Sequence, residues 1–263
     1  MKISILQMDM KLNAPADNYE KAKGLIAAAM KDDPDVLVLP ETWNVGFSPK
    51  DVDAALCDRD GVTVRREIGG LAKAYGVNIV AGSVANVRGG KLYNTAYVFD
   101  RGGEVIAEYD KTHLFSPMGE DKVFCKGDHT VTFSLDGHPA TLIICYDVRF
   151  PELVRTVTAN HKTDFLFVVS EWPAVRVPHL RALVTARAIE NQMFAVCCNS
   201  CGTAGDTKYG GHSLAVDPWG EVLAAAGDGE EIVTATCDTD VLAGIRTSIN
   251  VFADRRPEIY KVN

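Results

Sequence analysis

Three apolar stretches of this sequence each run into a residue able to move a proton or form a bond. "VLVLPE" ends on Glu41, "EVIAEYDK" on Lys111 and "TLIIC" on Cys145. A thiol near its ordinary pKa is only a small fraction thiolate at neutral pH, so it becomes a nucleophile when a base or a cation lies beside it. Glu41 could take that proton. Lys111 could favour the thiolate and then hold the oxyanion formed on an attacked carbonyl. The sequence after Cys145, "YDVRFPE", opens a helix, whose first N–H groups lack intrahelical partners; that of Tyr146 is nearest to the same oxyanion. Each residue also has a plainer reading. A strand-end cysteine packs well as a small hydrophobe, and a glutamate after a strand or a lysine in a hairpin is commonly solvated.

Convergence of the three depends on the elements that carry them. Residues 2–10 read as a strand, followed by a helix that Asp17 can cap and that runs to about Met30. Residues 35–40 form a continuous apolar strand of the kind buried inside sheets. A helix over 62–75, weakly interrupted at Gly69–Gly70, leads to a strand over 77–85. Residues 93–100 and 105–111 form a hairpin through "RGGE", and "TVTFSL" and "PATLIIC" form another through Asp136–Gly137. A helix from Pro151 to His161, a strand over 164–170, a helix over 178–192 and the strand "MFAVCCN" alternate next. The remainder is mostly β, with a short helical piece near 239–246. Hairpins mixed with helix-linked crossovers predict an α/β protein of two sheets with helices outside, as one domain over 1–263. In α/β folds, reacting groups gather beyond the carboxyl ends of strands, which is where all three residues fall.

Composition narrows the partners. A net charge of −8 argues against a nucleic-acid surface. The apolar runs are far too short to span a membrane, and the first, broken by Asp9, is too short for a signal peptide. Seven cysteines in a chain of 263 residues do not make a disulfide scaffold, so thiols in a reducing cytoplasm are expected. Cys198 and Cys201 have C-x₂-C spacing, but no second such pair completes a zinc site, and no metal is expected. His113, two residues from Lys111, raises a Cys–His enzyme as a rival; its more natural task is to orient the Lys111 loop.

The segments "VLVLPET", "YDKTHLF" and "ICYDVRFPE" together resemble the three signatures of the nitrilase superfamily of carbon–nitrogen hydrolases, in that family's order and spacing. "PMGEDKVFCKGD", "SEWP", "TARAIENQ", "GHSLAVDPWGEVL" and "FADRRPEIY" extend the likeness over nearly the whole chain. The resemblance implies a four-layer α-β-β-α sandwich and a Glu41–Lys111–Cys145 site without metal or organic cofactor. Glu120, in "MGED", resembles a second glutamate that many members place beside the thiol. "CYDVRFPE" is similar to the amidase branches rather than to true nitrilases, and "HLFSPMGED" and "SEWP" to ω-amidase-like members acting on 2-oxoglutaramate. Deaminated-glutathione amidase, another aliphatic amidase and a nitrilase stay open. So does a non-catalytic module that kept the fold. A small amide and water are the expected partners, and the family implies a homodimer or a higher homo-oligomer. Arg149 can pair bidentately with a substrate carboxylate, or else with Asp147 or Glu152. Tyr146 and Trp172 are candidate pocket walls, and Phe115 and Met118 candidate entrance residues.

Overall fold

The computed structural model describes residues 1–161 and 163–260. The expected unit of 1–263 therefore includes four residues outside the described set. In chain order the first strands are β1 (Lys2–Gln7), β2 (Val36–Val38), β3 (Asp58–Arg59), β4 (Asn78–Arg88), β5 (Lys91–Phe99) and β6 (Val105–Asp110). Next come β7 (Thr132–Leu135), β8 (His138–Ile144), β9 (Phe165–Ser170) and β10 (Phe194–Asn199). A two-residue ribbon of β11 (Thr203–Ala204) and β12 (Thr207–Lys208) precedes β13 (Leu214–Val216), β14 (Val222–Ala225) and β15 (Glu231–Thr236). One sheet has the order β15-β1-β2-β4-β5-β6, with β3 on β4; the other has the order β14-β13-β10-β9-β8-β7.

Alternation along β1 shows why the chain forms layers. Ile3 and Ile5 face a core shared with Leu142, Phe167 and Val196 of the second sheet. Leu6 belongs to the opposite face, against Ala22, Ile26 and Ala29 of α1 (Pro15–Ala29) and Ala72 of α3 (Gly70–Tyr75). The second sheet is covered in turn by α4 (Pro151–His161) and α5 (Val177–Asn191), through Val154, Leu180, Val184 and Ala188. The result is a four-layer α-β-β-α sandwich, two amphipathic sheets being unable to hide both faces without helices outside. No helix among the described residues is long and apolar enough to cross a membrane.

Two local expectations change. The first helix is capped at Ala14 with Pro15 in its first turn, so Asp17 lies inside it near the positive end of the helix dipole. At Gly69–Gly70 the helix is not interrupted; α2 (Val62–Val64), a π turn over Arg65–Gly69 and α3 run on continuously. Both glycines keep negative φ there, and Phe99 and the Gly103 carbonyl press on Gly69 so closely that a Cβ would crowd them.

Candidate active site

Glu41 stands beyond β2, where the chain crosses from one sheet towards the other. Leu39 N–H donates to Val80 O at 3.0 Å, Ser83 N–H to Pro40 O at 3.1 Å and Glu41 N–H to Ser170 O at 3.4 Å. The approach to β4 needs Gly82, at φ +59°, because a Cβ there would lie 1.8 Å from Pro40 O. Lys111 follows β6. Its N–H donates to Asn94 O, and its carbonyl accepts from Gly127 N–H, each at 2.9 Å. Glu120 sits in a short 3₁₀ turn, with Oε2 accepting Phe115 N–H at 2.6 Å.

These distant segments meet in a buried cluster. Lys111 Nζ donates to Glu41 Oε1 at 2.8 Å and to both oxygens of Glu120 at 2.9 and 3.0 Å. Asn94 Nδ2 links the same two carboxyls, at 2.8 Å to Glu41 and 3.2 Å to Glu120. The other oxygen of Glu41 accepts Glu171 N–H at 2.7 Å. Glu41, Lys111 and Glu120 are fully buried. Burial alone would lower the pKa of Lys111, but Glu120 and Glu41 outweigh it and raise the ammonium well above its usual value. Burial raises the pKa of Glu120, Lys111 opposes this and Glu41 adds to it.

Cys145 begins the 3₁₀ turn Cys145–Arg149 and has φ +47°, a left-handed conformation uncommon for a residue with a Cβ. Asp147 secures this turn. Its Oδ2 accepts Ile144 N–H at 3.1 Å and the Tyr109 hydroxyl at 2.8 Å, and its Oδ1 accepts His113 N–H at 2.9 Å. His113 Nδ1 lies 2.8 Å from the same Oδ1. His113 thus ties the loop after Lys111 to the turn of Cys145. Burial and Glu41 push the thiol pKa well up, while Lys111 pulls it down. The resting group is therefore a thiol, with the Glu41 carboxyl beside it.

Cys145 lines a cavity of about 320 Å³ together with Lys111, Phe47, Phe115, Met118, Tyr146, Trp172 and Glu171. Arg149 and Arg176 line it too, each over an aromatic ring: Arg149 Cζ is 4.7 Å from the Trp172 centroid and Arg176 Cζ 5.4 Å from that of Phe115. Arg149 has no ion pair with Asp147 or Glu152; its polar neighbour among the described residues is His179 Nδ1, at 3.4 Å. All nine residues singled out in the sequence thus come together, with Glu41 and Glu120 against Lys111 and the other seven on the cavity wall. Cys198 and Cys201 lie buried elsewhere, and no group of three or more potential metal ligands occurs among the described residues.

Sequence reasoning passed over Asn94, Thr42, Phe47, Arg176 and Glu171. Glu171 had a usable signal: like Glu41 it directly follows a buried strand, here "FLFVVS". Asn94 had a weaker one, as an amide inside an otherwise apolar strand.

The fold and this cluster define a hydrolase of carbon–nitrogen bonds, and the chain belongs to the carbon–nitrogen hydrolase family, whose model matches residues 2–247. It is 43% identical over 258 residues to a Bacillus subtilis protein named 2-oxoglutaramate amidase, covering 98% of each chain. Among solved structures, the CN-hydrolase superfamily protein XC1258 of Xanthomonas campestris superposes with a TM-score of 0.91 at 27% identity, over 100% of this chain and 99% of that one. A variant of the amidase of Nesterenkonia sp. AN1, in which acrylamide has undergone Michael addition at the active-site cysteine, matches at a TM-score of 0.83 and 27% identity, over 98% of each chain.

Proposed function

We propose that this protein hydrolyses the ω-amide of a small 2-oxo acid, 2-oxoglutaramate, to the dicarboxylate and ammonia through a thioester on Cys145. Glu41 takes the thiol proton, and the sulfur forms a bond to the amide carbon. Lys111 Nζ and Tyr146 N–H hold the oxyanion. Glu41 returns the proton to nitrogen, the C–N bond breaks and ammonia leaves. A water then gives a proton to Glu41, with Glu120 adjusting the charge of the cluster. The resulting hydroxide attacks the thioester, the C–S bond breaks, and the sulfur recovers the proton.

The observation that supports this reading most is the buried Glu41–Lys111–Glu120 cluster beside a thiol that opens onto a cavity. Arg149, free of a carboxylate partner among the described residues, suits the substrate's own carboxylate, with Trp172, Tyr146, Phe115 and Met118 around its carbon chain. The relative of 43% identity bears the name of the same reaction. Seven free cysteines agree with work in the cytoplasm. A homodimer would use the outer face of α4 and α5, where Ile189 is exposed.

Replacing Cys145 by Ala tests the reading. The variant is expected to stay folded and to release no ammonia from 2-oxoglutaramate, while the wild type gains the mass of an acyl group when quenched during turnover. Wild-type ammonia release by the folded variant would refute the assignment. Parallel assays with deaminated glutathione, a simple aliphatic amide and a nitrile would expose a different preferred substrate.

A further inference from the structure

Glu171 is the one carboxyl on the cavity wall that the mechanism above does not use. It is 1% exposed, and its Oε2 lies 2.8 Å from Thr42 Oγ1, whereas Oε1 has no hydrogen-bond partner. An unpaired buried carboxyl oxygen is costly, so its persistence on the wall of a ligand cavity points to a partner that arrives with the ligand. Its location suggests which part of the ligand. Glu41 is gripped by Lys111 on Oε1 and by the backbone N–H of Glu171 on Oε2, so Lys111, Glu41 and Glu171 stand in sequence around the reacting centre. The substrate oxygen belongs at the Lys111 end. The nitrogen, which receives its proton from Glu41, belongs on the side of Glu171.

We infer that Glu171 is a specificity-determining contact for the reacting carboxamide, with Oε1 accepting one amide N–H while Thr42 holds Oε2. This rests on the amidase reading above. The groups facing the carboxyl are the Phe47 N–H, Thr42, Glu41 and Lys111, with Tyr209 nearby and Cys145, Arg149 and Arg176 on the same cavity wall. Burial raises its pKa well above the ordinary carboxyl value, with Glu41 adding to it and the Phe47 N–H, Thr42 and Lys111 opposing it. That direction favours the neutral acid. Its hydroxyl can be satisfied by Thr42, which leaves Oε1 as a carbonyl-type acceptor. An amide fits that acceptor. An ester of the same acid offers no N–H and leaves Oε1 unpaired, so the site discriminates between them.

The test compares 2-oxoglutaramate with the γ-methyl ester of 2-oxoglutarate, in wild type, Glu171→Leu and Glu171→Gln, with folding checked by circular dichroism. In Glu171→Leu the ratio of amide to ester kcat/KM should fall roughly 10- to 100-fold, the effect of removing one buried acceptor. Glu171→Gln, which is neutral and can turn its amide nitrogen to Thr42 and its oxygen into the cavity in place of Oε1, should rescue most of that ratio. An equal loss on both substrates in Glu171→Leu would mean a structural role and overturn the inference, as would an unchanged ratio. A Glu171→Gln enzyme as impaired as Glu171→Leu would show that an ionised carboxylate is needed, and would overturn it too. Absence of amide turnover by the wild type would instead sink the amidase reading itself.

Discussion

Replacing Gly82 by Ala should damage catalysis without altering any group that touches the substrate. An added Cβ would lie 1.8 Å from Pro40 O and 2.7 Å from Leu39 O, against a closest observed approach of 3.0 Å for real Cβ atoms. The Pro40 carbonyl must therefore retreat by about 1.2 Å, and both oxygens belong to buried backbone just beyond β2. Glu41 is the next residue, and it moves with its neighbour. A displacement near 1 Å at a reacting group can cost about 100-fold in rate, so kcat/KM for 2-oxoglutaramate should fall by roughly that factor. The positive φ adds about 1–2 kcal/mol and the overpacking about 1–3 kcal/mol of destabilisation. The melting temperature should drop by roughly 4–12 °C for a domain of this size. Gly76→Ala is the control. Its φ of +63° imposes the same backbone penalty, but nothing lies within 4 Å of the new Cβ. That variant should lose about 1–2 kcal/mol of stability and keep its rate. A folded Gly82→Ala enzyme with wild-type kcat/KM would refute the argument that the close approach of β4 positions Glu41.

Two further predictions follow from the charges in the cavity. Arg149→Leu should raise KM for 2-oxoglutaramate by more than about tenfold and change turnover of an uncharged amide much less, since a paired guanidinium is worth roughly 1.5–3 kcal/mol to a carboxylate; equal effects on both substrates would show that Arg149 does not read the carboxylate. Stability should also depend on Glu171 in a defined direction. The native protein keeps a proton that the unfolded chain releases near its ordinary value of 4.5, so the native state binds more protons above that pH. Stability from this group is complete below that value and declines as pH rises towards the native pKa. The denaturation midpoint of Glu171→Gln relative to wild type should therefore increase between about pH 5 and pH 8, and parallel curves for the two proteins would contradict a neutral Glu171.

Much of the site could be read from the chain because it follows one local rule. Continuous apolar strands demand burial, and a charged or nucleophilic residue placed just beyond them is held at the rim of the core, as Glu41, Lys111 and Cys145 are. The same rule, carried one strand further, reaches Glu171. The π turn at Arg65–Gly69 was beyond that rule, since Gly69 packs against Phe99 and Gly103, neighbours distant along the chain.

The polymer alone therefore determined which strands must be buried, that two sheets need covering helices, and which reactive groups stand at the strand ends, since these depend on residue type and short-range periodicity. Only the tertiary structure decided that Asn94 joins two carboxyls, that Gly82 lets Pro40 approach, that Asp147 binds the cysteine turn to the lysine loop, and that Arg149 lies over Trp172. Those are relations between atoms many residues apart. Their energies depend on distance and burial, which the order of letters does not contain until the sheets have packed.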